Sequence, residues 1–428
     1  MNLWSRPLGI LKVAEYMSQF ELQVNLVDCM DVFEKRNYGT GNYPREIVEK
    51  PEAVREIPRF FKRYGIGLSE FKKKLESLMP YDFVFLTSMM SYWYPGVLKA
   101  VEIVRNVSPN IPIIIGGIYA TLFHEHASEY SGADIVYKGL IREDITSSLE
   151  KLGIRLNKKT IYNNNNSPLI LKPYYHLNLY TSYPFAPILT SKGCPFRCSY
   201  CASSVLTDSF VQREPYDVVK EIGALYENGI TDFAFYDDAL LVNAESHIKC
   251  ILREVIRSNL RVRFHCPNGI HARFIDDELA YLMKESGFTT IRLSLETVND
   301  DRNAVMGGKV TAEKLKTAVN VFKSQGFTKR ALGVYLMYGL PDQDIDEVRD
   351  GVKFLKNLGI RINLTEFSPI PGTQCWDELK EKNIINDGLD PLLTNNTVFS
   401  YLFSGYDPAE LEELRLDVKN YNGRRTDA

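Results

Sequence analysis

The sequence predicts an α/β protein made of two parallel-sheet domains, the second an open sheet or partial barrel. Three observations predict it. Short apolar runs rich in β-branched and aromatic residues alternate with helix-length amphipathic stretches, the pattern of βαβ units around a buried parallel sheet. A stretch rich in asparagine and proline interrupts this alternation once. The chain has 428 residues, room for two or three domains at about 150 residues each.

In the first third, the expected strands are Leu22–Val27, Phe83–Thr87, Ile111–Ile115 and Asp134–Tyr137. Gly116-Gly117 directly follows the third run, where a ligand-facing loop would leave a strand's carboxyl end; a tight turn is the alternative reading. Arg59–Arg63 and Lys72–Lys74 are locally basic and read as a solvated amphipathic helix pair, with Phe60, Phe61, Tyr64 and Phe71 in the core. An acidic partner such as RNA or an anionic lipid head group is the minor alternative. Residues 1–150 form this domain.

Residues 151–185 read as a linker. Asn163–Asn166 is an asparagine run followed by Ser167-Pro168, and Pro173 and Pro184 come next. From Ala186 the alternation resumes. Expected strands are Pro187–Ser191, Asp232–Tyr236, Leu260–His265, Thr290–Leu295, Ala331–Met337 and Arg361–Phe367. Expected helices are Tyr216–Glu227, Glu245–Arg257, Asp276–Glu285, Ala312–Ser324 and Ile345–Leu358. Asp276 and Thr311 are capping residues, and Gly229, Gly287, Gly326 and Gly359 mark helix ends. Pro408–Asp417 reads as a further helix in the tail.

Composition narrows the function. The chain is 45% hydrophobic and 25% charged, ordinary for a globular protein. Basic and acidic residues nearly cancel, 51 against 54, which argues against a protein dedicated to nucleic acid. The longest uncharged apolar stretch, Phe83–Leu98, has 16 residues and is broken by Pro95; a membrane span needs about 20. No basic start with an apolar core opens the chain, so no secretory signal is expected, and the cytoplasm is the expected location.

Seven cysteines, at 29, 194, 198, 201, 250, 266 and 375, are too few for a disulfide scaffold. Three fall in Cys194-Pro195-Phe196-Arg197-Cys198-Ser199-Tyr200-Cys201, just after the first strand of the second domain. That is the loop position where α/β domains place chemistry. Structural zinc is normally closed by four ligands, and a cubane iron–sulfur cluster is usually held by four cysteines. No fourth cysteine is near in sequence, so a cluster held here would leave one iron open. A zinc site completed by Cys266 or His265 in a non-catalytic binding protein, or three stray thiols, are the competing readings.

The segment from Thr190 to Ala202 closely resembles the signature of radical S-adenosylmethionine (radical SAM) enzymes. In that superfamily three cysteines in this spacing hold a 4Fe–4S cluster, and the fourth iron chelates S-adenosylmethionine (AdoMet). The resemblance implies that Cys194, Cys198 and Cys201 are the metal ligands and the catalytic centre. It implies reductive cleavage of AdoMet to a 5′-deoxyadenosyl radical that abstracts hydrogen from a substrate the sequence does not name. An electron donor such as a flavodoxin or ferredoxin is the implied partner.

Further strand ends match the family in order, over residues 189–373. Tyr236-Asp237-Asp238 matches the strand-two motif that contacts the methionine amino group; helix capping is the alternative for one aspartate. Asn268 lies in a family-like Cys266-Pro267-Asn268-Gly269 stretch, or in a plain Asn-Gly turn. Glu296, after Arg292–Leu295, resembles the ribose ligand, with Ser294 on the same face. Gly339 and Pro341 match the stretch whose backbone approaches adenine, where glycine leaves the room. Tyr200 matches the aromatic position near the adenine. The implied fold is a partial (β/α)6 TIM-like radical SAM barrel at 186–373, followed by a C-terminal region at 374–428.

The domain order resembles the subgroup in which a Rossmann-like cobalamin-binding domain comes first. Pro112–Thr121 is like that subgroup's Gly-Gly strand end, whereas Tyr137–Glu143 matches its acidic stretch poorly. No histidine precedes His124, so the usual early-loop cobalt ligand is missing, and His124 and His126 read as structural. Cobalamin is therefore a further candidate cofactor, and a cobalamin-dependent methyltransferase is the alternative within the superfamily.

Overall fold

Two all-parallel sheets carry the chain, and their strand directions decide where loops gather. The computed structural model describes residues 6–31, 34–37, 40–142, 144–159, 179–180 and 185–423. The asparagine run 163–166, Pro173, Pro184 and Glu143 lie outside the described residues. The chain divides into two compact units, residues 1–182 with Gly388–Asn395, and Tyr183–Asp387 with Asn396–Ala428.

In the N-terminal unit, β1 (Val84–Ser88), β2 (Ile113–Gly117) and β3 (Ile135–Val136) form a parallel sheet with β2 central. Ile113, Ile114 and Ile115 are fully buried because helices cover both faces of the sheet. Burying each contributes about 1.5–3 kcal/mol. One face packs α2 (Leu68–Ser77) and α3 (Tyr94–Val107), and the other packs α1 (Leu8–Met17) and α6 (Asp144–Lys151). Between these helices lie α4 (Ile118–Leu122) and α5 (His124–Tyr130).

Two expectations for this unit fail. Leu22–Val27 joins no sheet; Leu22 and Val24 pack on one core cluster and Val27 on the other, so its apolar pattern reflects packing without a ladder partner. The basic stretch is not a helix pair. Lys72–Lys74 is helical, but Lys62–Tyr64 is a strand paired antiparallel with Arg45–Ile47. Phe71 is buried, whereas Phe60 is 73% exposed and not part of the core.

In the second unit, β4 (Ala186–Ile188), β5 (Asp232–Phe235), β6 (Arg263–Ile270), β7 (Phe288–Leu295), β8 (Leu332–Tyr338) and β9 (Arg361–Glu366) are neighbours in sequence order. Every pairing is parallel. This is the α/β fold with a partial (β/α)6 barrel that the sequence predicts. The intervening helices are α7 (Pro215–Glu227), α8 (Ile248–Arg257), α9 (Asp277–Glu285), α10 (Ala312–Ser324) and α11 (Ile345–Asn357). Side chains of Asp276, Thr311 and Asp344 cap α9, α10 and α11. Because all six strands run the same way, their carboxyl ends share one rim.

Asn268-Gly269 is not a turn. Both residues continue β6 through a register shift between Cys266 and Ile270. The C-terminal region is divided between the two units. Helix α12 (Gln374–Glu381), then α13 (Asn396–Phe403) and α14 (Pro408–Gly423), belong to the barrel unit, while Gly388–Asn395 belongs to the N-terminal one. There the Asp390 carboxylate accepts a hydrogen bond from Tyr94 Oη at 3.0 Å.

Candidate active site

The loop after β4 begins with a pair of short strands, Ser191–Lys192 against Val211–Gln212. It carries Cys194, Cys198 and Cys201, all half-buried and free of disulfides. The Cys201 N–H donates to the Cys198 carbonyl at 3.1 Å, which turns the loop back on itself. Gly307 presses against it from another loop. At φ +106°, a Cβ there would lie 3.2 Å from Cys198 Cα, so only glycine fits the approach. From below, the Cys375 N–H of α12 donates to the Ser199 carbonyl at 2.9 Å. Phe196 is held by the Arg273 guanidinium, 4.6 Å from its ring, and by His271 at 4.7 Å.

The three thiols lie within electrostatic reach of one another. Burial pushes Cys194 up from its usual range and Cys198 up to about 11. Metal binding would therefore release protons. Among the described residues, no three His, Cys, Asp or Glu side chains form a group of single-ion size. Three cysteines in one loop are the donor set that suits an iron–sulfur cluster.

Asp237 and Asp238, which follow β5, have different surroundings. Asp237 is 4% exposed. Its Oδ1 accepts from Thr190 N at 3.0 Å, Thr190 Oγ1 at 2.7 Å and Ser191 Oγ at 2.6 Å. Burial raises its pKa, and these donors oppose the rise. The expected role at the methionine ammonium does not suit a carboxylate so fully engaged; Asp237 ties the root of the cysteine loop to β5. Asp238 opens to solvent from a crowded recess beside Cys194, and Ser203 Oγ donates to it at 3.0 Å. Cys201 Sγ lies 3.3 Å from the same Ser203 hydroxyl.

Glu296, after β7, is 3% exposed. Its Oε1 accepts from Tyr200 Oη at 2.5 Å and lies 3.8 Å from Lys309 Nζ. Its Oε2 is buried without a hydrogen-bond partner, as is Ser294 Oγ. Leaving a buried acceptor unmet costs about 1–3 kcal/mol, so the pair is shaped for a ligand that donates hydrogen bonds. Two adjacent ribose hydroxyls meet that requirement, and the residues present fit AdoMet. Tyr200, expected near the adenine, donates the hydrogen bond that holds this carboxylate.

The remaining expected residues line the same rim. Asn268 Nδ2 donates to the Tyr236 carbonyl at 3.2 Å, bridging β5 and β6. Gly339 sits at φ +77°, and a Cβ there would lie 3.3 Å from Ser400 Oγ. The Pro341 carbonyl accepts from Arg302 Nη1 at 2.6 Å.

Lys309 is the residue the sequence reading missed. Its side chain is 14% exposed, and its charge acts on Cys194, Cys198, Asp238 and Glu296 together. The signal was Gly307-Gly308, a pair of small residues that lets the following lysine come in close.

Residues 188–355 match the family model described as the radical SAM superfamily. An uncharacterized methyltransferase of Pyrococcus horikoshii is 27% identical over 381 residues, covering 82% of this chain and 81% of that protein. Among solved structures, the radical S-adenosylmethionine methyltransferase TsrM of Kitasatospora setae, with tryptophan and a SAM analogue bound, is similar at a TM-score of 0.59 and 18% identity, over 73% of this chain and 67% of that one. The cobalamin-dependent S-adenosylmethionine radical enzyme OxsB, with aqua-cobalamin bound, is similar at a TM-score of 0.59 and 13% identity, over 83% of this chain and 64% of that one. At such identities the two structures establish the two-domain fold.

Proposed function

The chain belongs to the radical SAM superfamily, and from that premise we propose that its carboxyl rim binds and reductively cleaves AdoMet to start hydrogen abstraction from an organic substrate. Cys194, Cys198 and Cys201 would hold the 4Fe–4S cluster. When bound, that cluster supplies the electron that breaks the sulfonium bond and releases the 5′-deoxyadenosyl radical.

The chain's own residues divide the binding. The amino-acid end of AdoMet carries one charge of each sign. Asp238 and Lys309 offer the complementary pair, both close to Cys194. Glu296 Oε2 and Ser294 Oγ would accept or share the ribose hydroxyls, and Gly339 and Pro341 would face the adenine with backbone. Burial of Glu296 keeps water from competing for its free oxygen. The observation that carries this reading is the orphaned Oε2 of Glu296, held toward the cysteine loop through Tyr200.

The test is anaerobic reconstitution. Brown protein with about four irons per chain is expected, and dithionite with AdoMet should then yield 5′-deoxyadenosine. Cys198→Ala should abolish that product. Persistence of product in this variant, or colourless protein holding a single zinc, would remove the reading.

A second reading is cobalamin-dependent methyl transfer. It is favoured by the relatives named as methyltransferases and by the parallel β1–β2–β3 sheet with Gly116-Gly117 at its carboxyl edge. At that edge Nδ1 of His126 lies 2.7 Å from Tyr119 Oη, and Nδ1 of His124 lies 3.1 Å from the Ala120 carbonyl. Cobalamin would thus be held without a ligand from the usual early loop. Retention of a corrinoid spectrum after reconstitution supports methyl transfer; its absence leaves hydrogen abstraction alone.

A further inference from the structure

Behind the rim, a buried polar network joins three loops that are far apart in sequence. Glu347 is at its centre, in the first turn of α11, with a side chain 10% exposed. Its Oε1 accepts from Thr297 Oγ1, the residue next to Glu296. Arg302 Nε donates to both Glu347 oxygens at 3.0 Å. The other two nitrogens of that guanidinium donate to the Pro341 carbonyl at 2.6 Å and the Asp342 carbonyl at 2.7 Å. Arg302 therefore holds the turn at Asp342, which has φ +57°, against the loop that carries Glu296.

The network continues outward. Gln343 Nε2 donates to Glu347 Oε1 at 3.2 Å. Gln343 Oε1 accepts from Leu340 N at 3.3 Å and from Tyr406 Oη at 3.1 Å. Tyr406 Oη in turn accepts from the Gly339 N–H at 3.2 Å. Burial pushes the Tyr406 phenol up to about 12, so it stays a donor. Thr297 and Gln343 are themselves 2% and 5% exposed.

We propose that Glu347 is a positioning residue that locks the Glu296–Thr297 loop to the Gly339–Asp342 turn, with Tyr406 of the C-terminal region as its outer anchor. The proposal rests on the AdoMet reading above. Each loop supplies contacts to a different part of the nucleoside, and neither can be moved without disturbing the shared carboxylate. A charged, fully satisfied buried network is rigid because every alternative arrangement leaves a polar group unmet. The function of the network is to hold the two half-sites at a fixed separation before AdoMet arrives, which lowers the ordering cost of binding. No atom of Glu347 need touch the cofactor.

The experiment uses the full reconstituted chain. It measures iron content, AdoMet binding by equilibrium dialysis, and the rate of deoxyadenosine release against AdoMet concentration, which separates kcat from KM. Glu347→Ala should keep its iron and its kcat while the AdoMet dissociation constant and KM rise about tenfold or more, the scale of one lost charged hydrogen bond. Glu347→Gln keeps an acceptor for Thr297 and should fall between wild type and Glu347→Ala. Tyr406→Phe, which removes one hydroxyl at the outer end, should raise KM about threefold with kcat unchanged. If Glu347→Ala fails to fold, Tyr406→Phe decides: an unchanged KM there overturns the proposal. Wild-type affinity in Glu347→Ala, or a fall in kcat with KM unmoved, also overturns it. Failure of the wild-type enzyme to bind AdoMet is a different result, and it would remove the proposed function and this inference together.

Discussion

The phenol of Tyr200 donates a 2.5 Å hydrogen bond to Oε1 of Glu296, so a residue inside the cysteine loop holds the carboxylate that ends the fourth barrel strand. Burial and the neighbouring carboxylate push the Tyr200 pKa well above its usual value, which keeps the proton on the phenol. Formation of the loop and orientation of Glu296 are thereby one event. Tyr200→Phe should retain iron and weaken AdoMet binding by about tenfold, given roughly 1.5–3 kcal/mol for a hydrogen bond to a charged group. Equilibrium dialysis checks it, and an unchanged dissociation constant would detach Tyr200 from the site. Glu296→Ala should weaken binding further with the cluster retained.

Lys309 offers a separate test. It is the cation beside Glu296, Asp238 and two of the cysteines. Lys309→Met keeps the length of the apolar stem and removes the charge. AdoMet affinity should fall about tenfold or more, with Lys309→Arg recovering part of it. Equal affinities for Lys309→Met and wild type would show that the methionine carboxylate finds its partner elsewhere.

The two adjacent aspartates should separate cleanly on mutation. Asp237→Ala leaves the Thr190 N–H and two hydroxyls without their acceptor, at about 1–3 kcal/mol for each buried donor. It should lower Tm and iron retention together. Asp238→Asn should keep iron and lose AdoMet affinity. The opposite pattern, with iron intact in Asp237→Ala and only AdoMet lost, would return Asp237 to the cofactor.

Acid should destabilise the barrel through His247. The ring is 3% exposed, with Nε2 lacking a partner. Burial, opposed by a hydrogen bond with the Thr190 backbone and helped by nearby Arg213, lowers its pKa to about 4. The unfolded chain binds this proton near pH 6.5 and the folded chain does not until about pH 4. Stability is therefore complete above pH 6.5 and declines below it, by up to about 1.4 kcal/mol per pH unit, until about pH 4. Thermal unfolding across this range should show a shallower decline in His247→Gln. Parallel profiles for the two proteins would exclude His247 as the source.

Much of the barrel was legible because its rules are local. β-branched runs of strand length, capping residues such as Asp276 and Thr311, and glycines at helix ends each act within a few residues. The cysteine loop was legible for the same reason. What escaped depends on contacts distant in sequence. Leu22–Val27 has a strand's composition, but a ladder needs a partner that composition does not supply. Asn268-Gly269 could be a turn by composition, yet pairing with β7 resumes at Ile270 and leaves the two residues within β6 as a register shift. Asp237 and Asp238 are equivalent as letters, and only the hydroxyls of Thr190 and Ser191 distinguish them. Lys309, Glu347 and Tyr406 belong to no local pattern; each acquires its role by being brought beside residues tens of positions away.

The second visit of the chain to its first unit, at Gly388–Asn395, bears on how this protein can be cut apart. No single break yields two halves that each keep all their own residues, because the later half carries away the acid that Tyr94 holds. Gene fusions or truncations that treat the halves as separable cassettes should give a first half missing a piece of its wall, and a successful transplant would need that short return loop supplied as well.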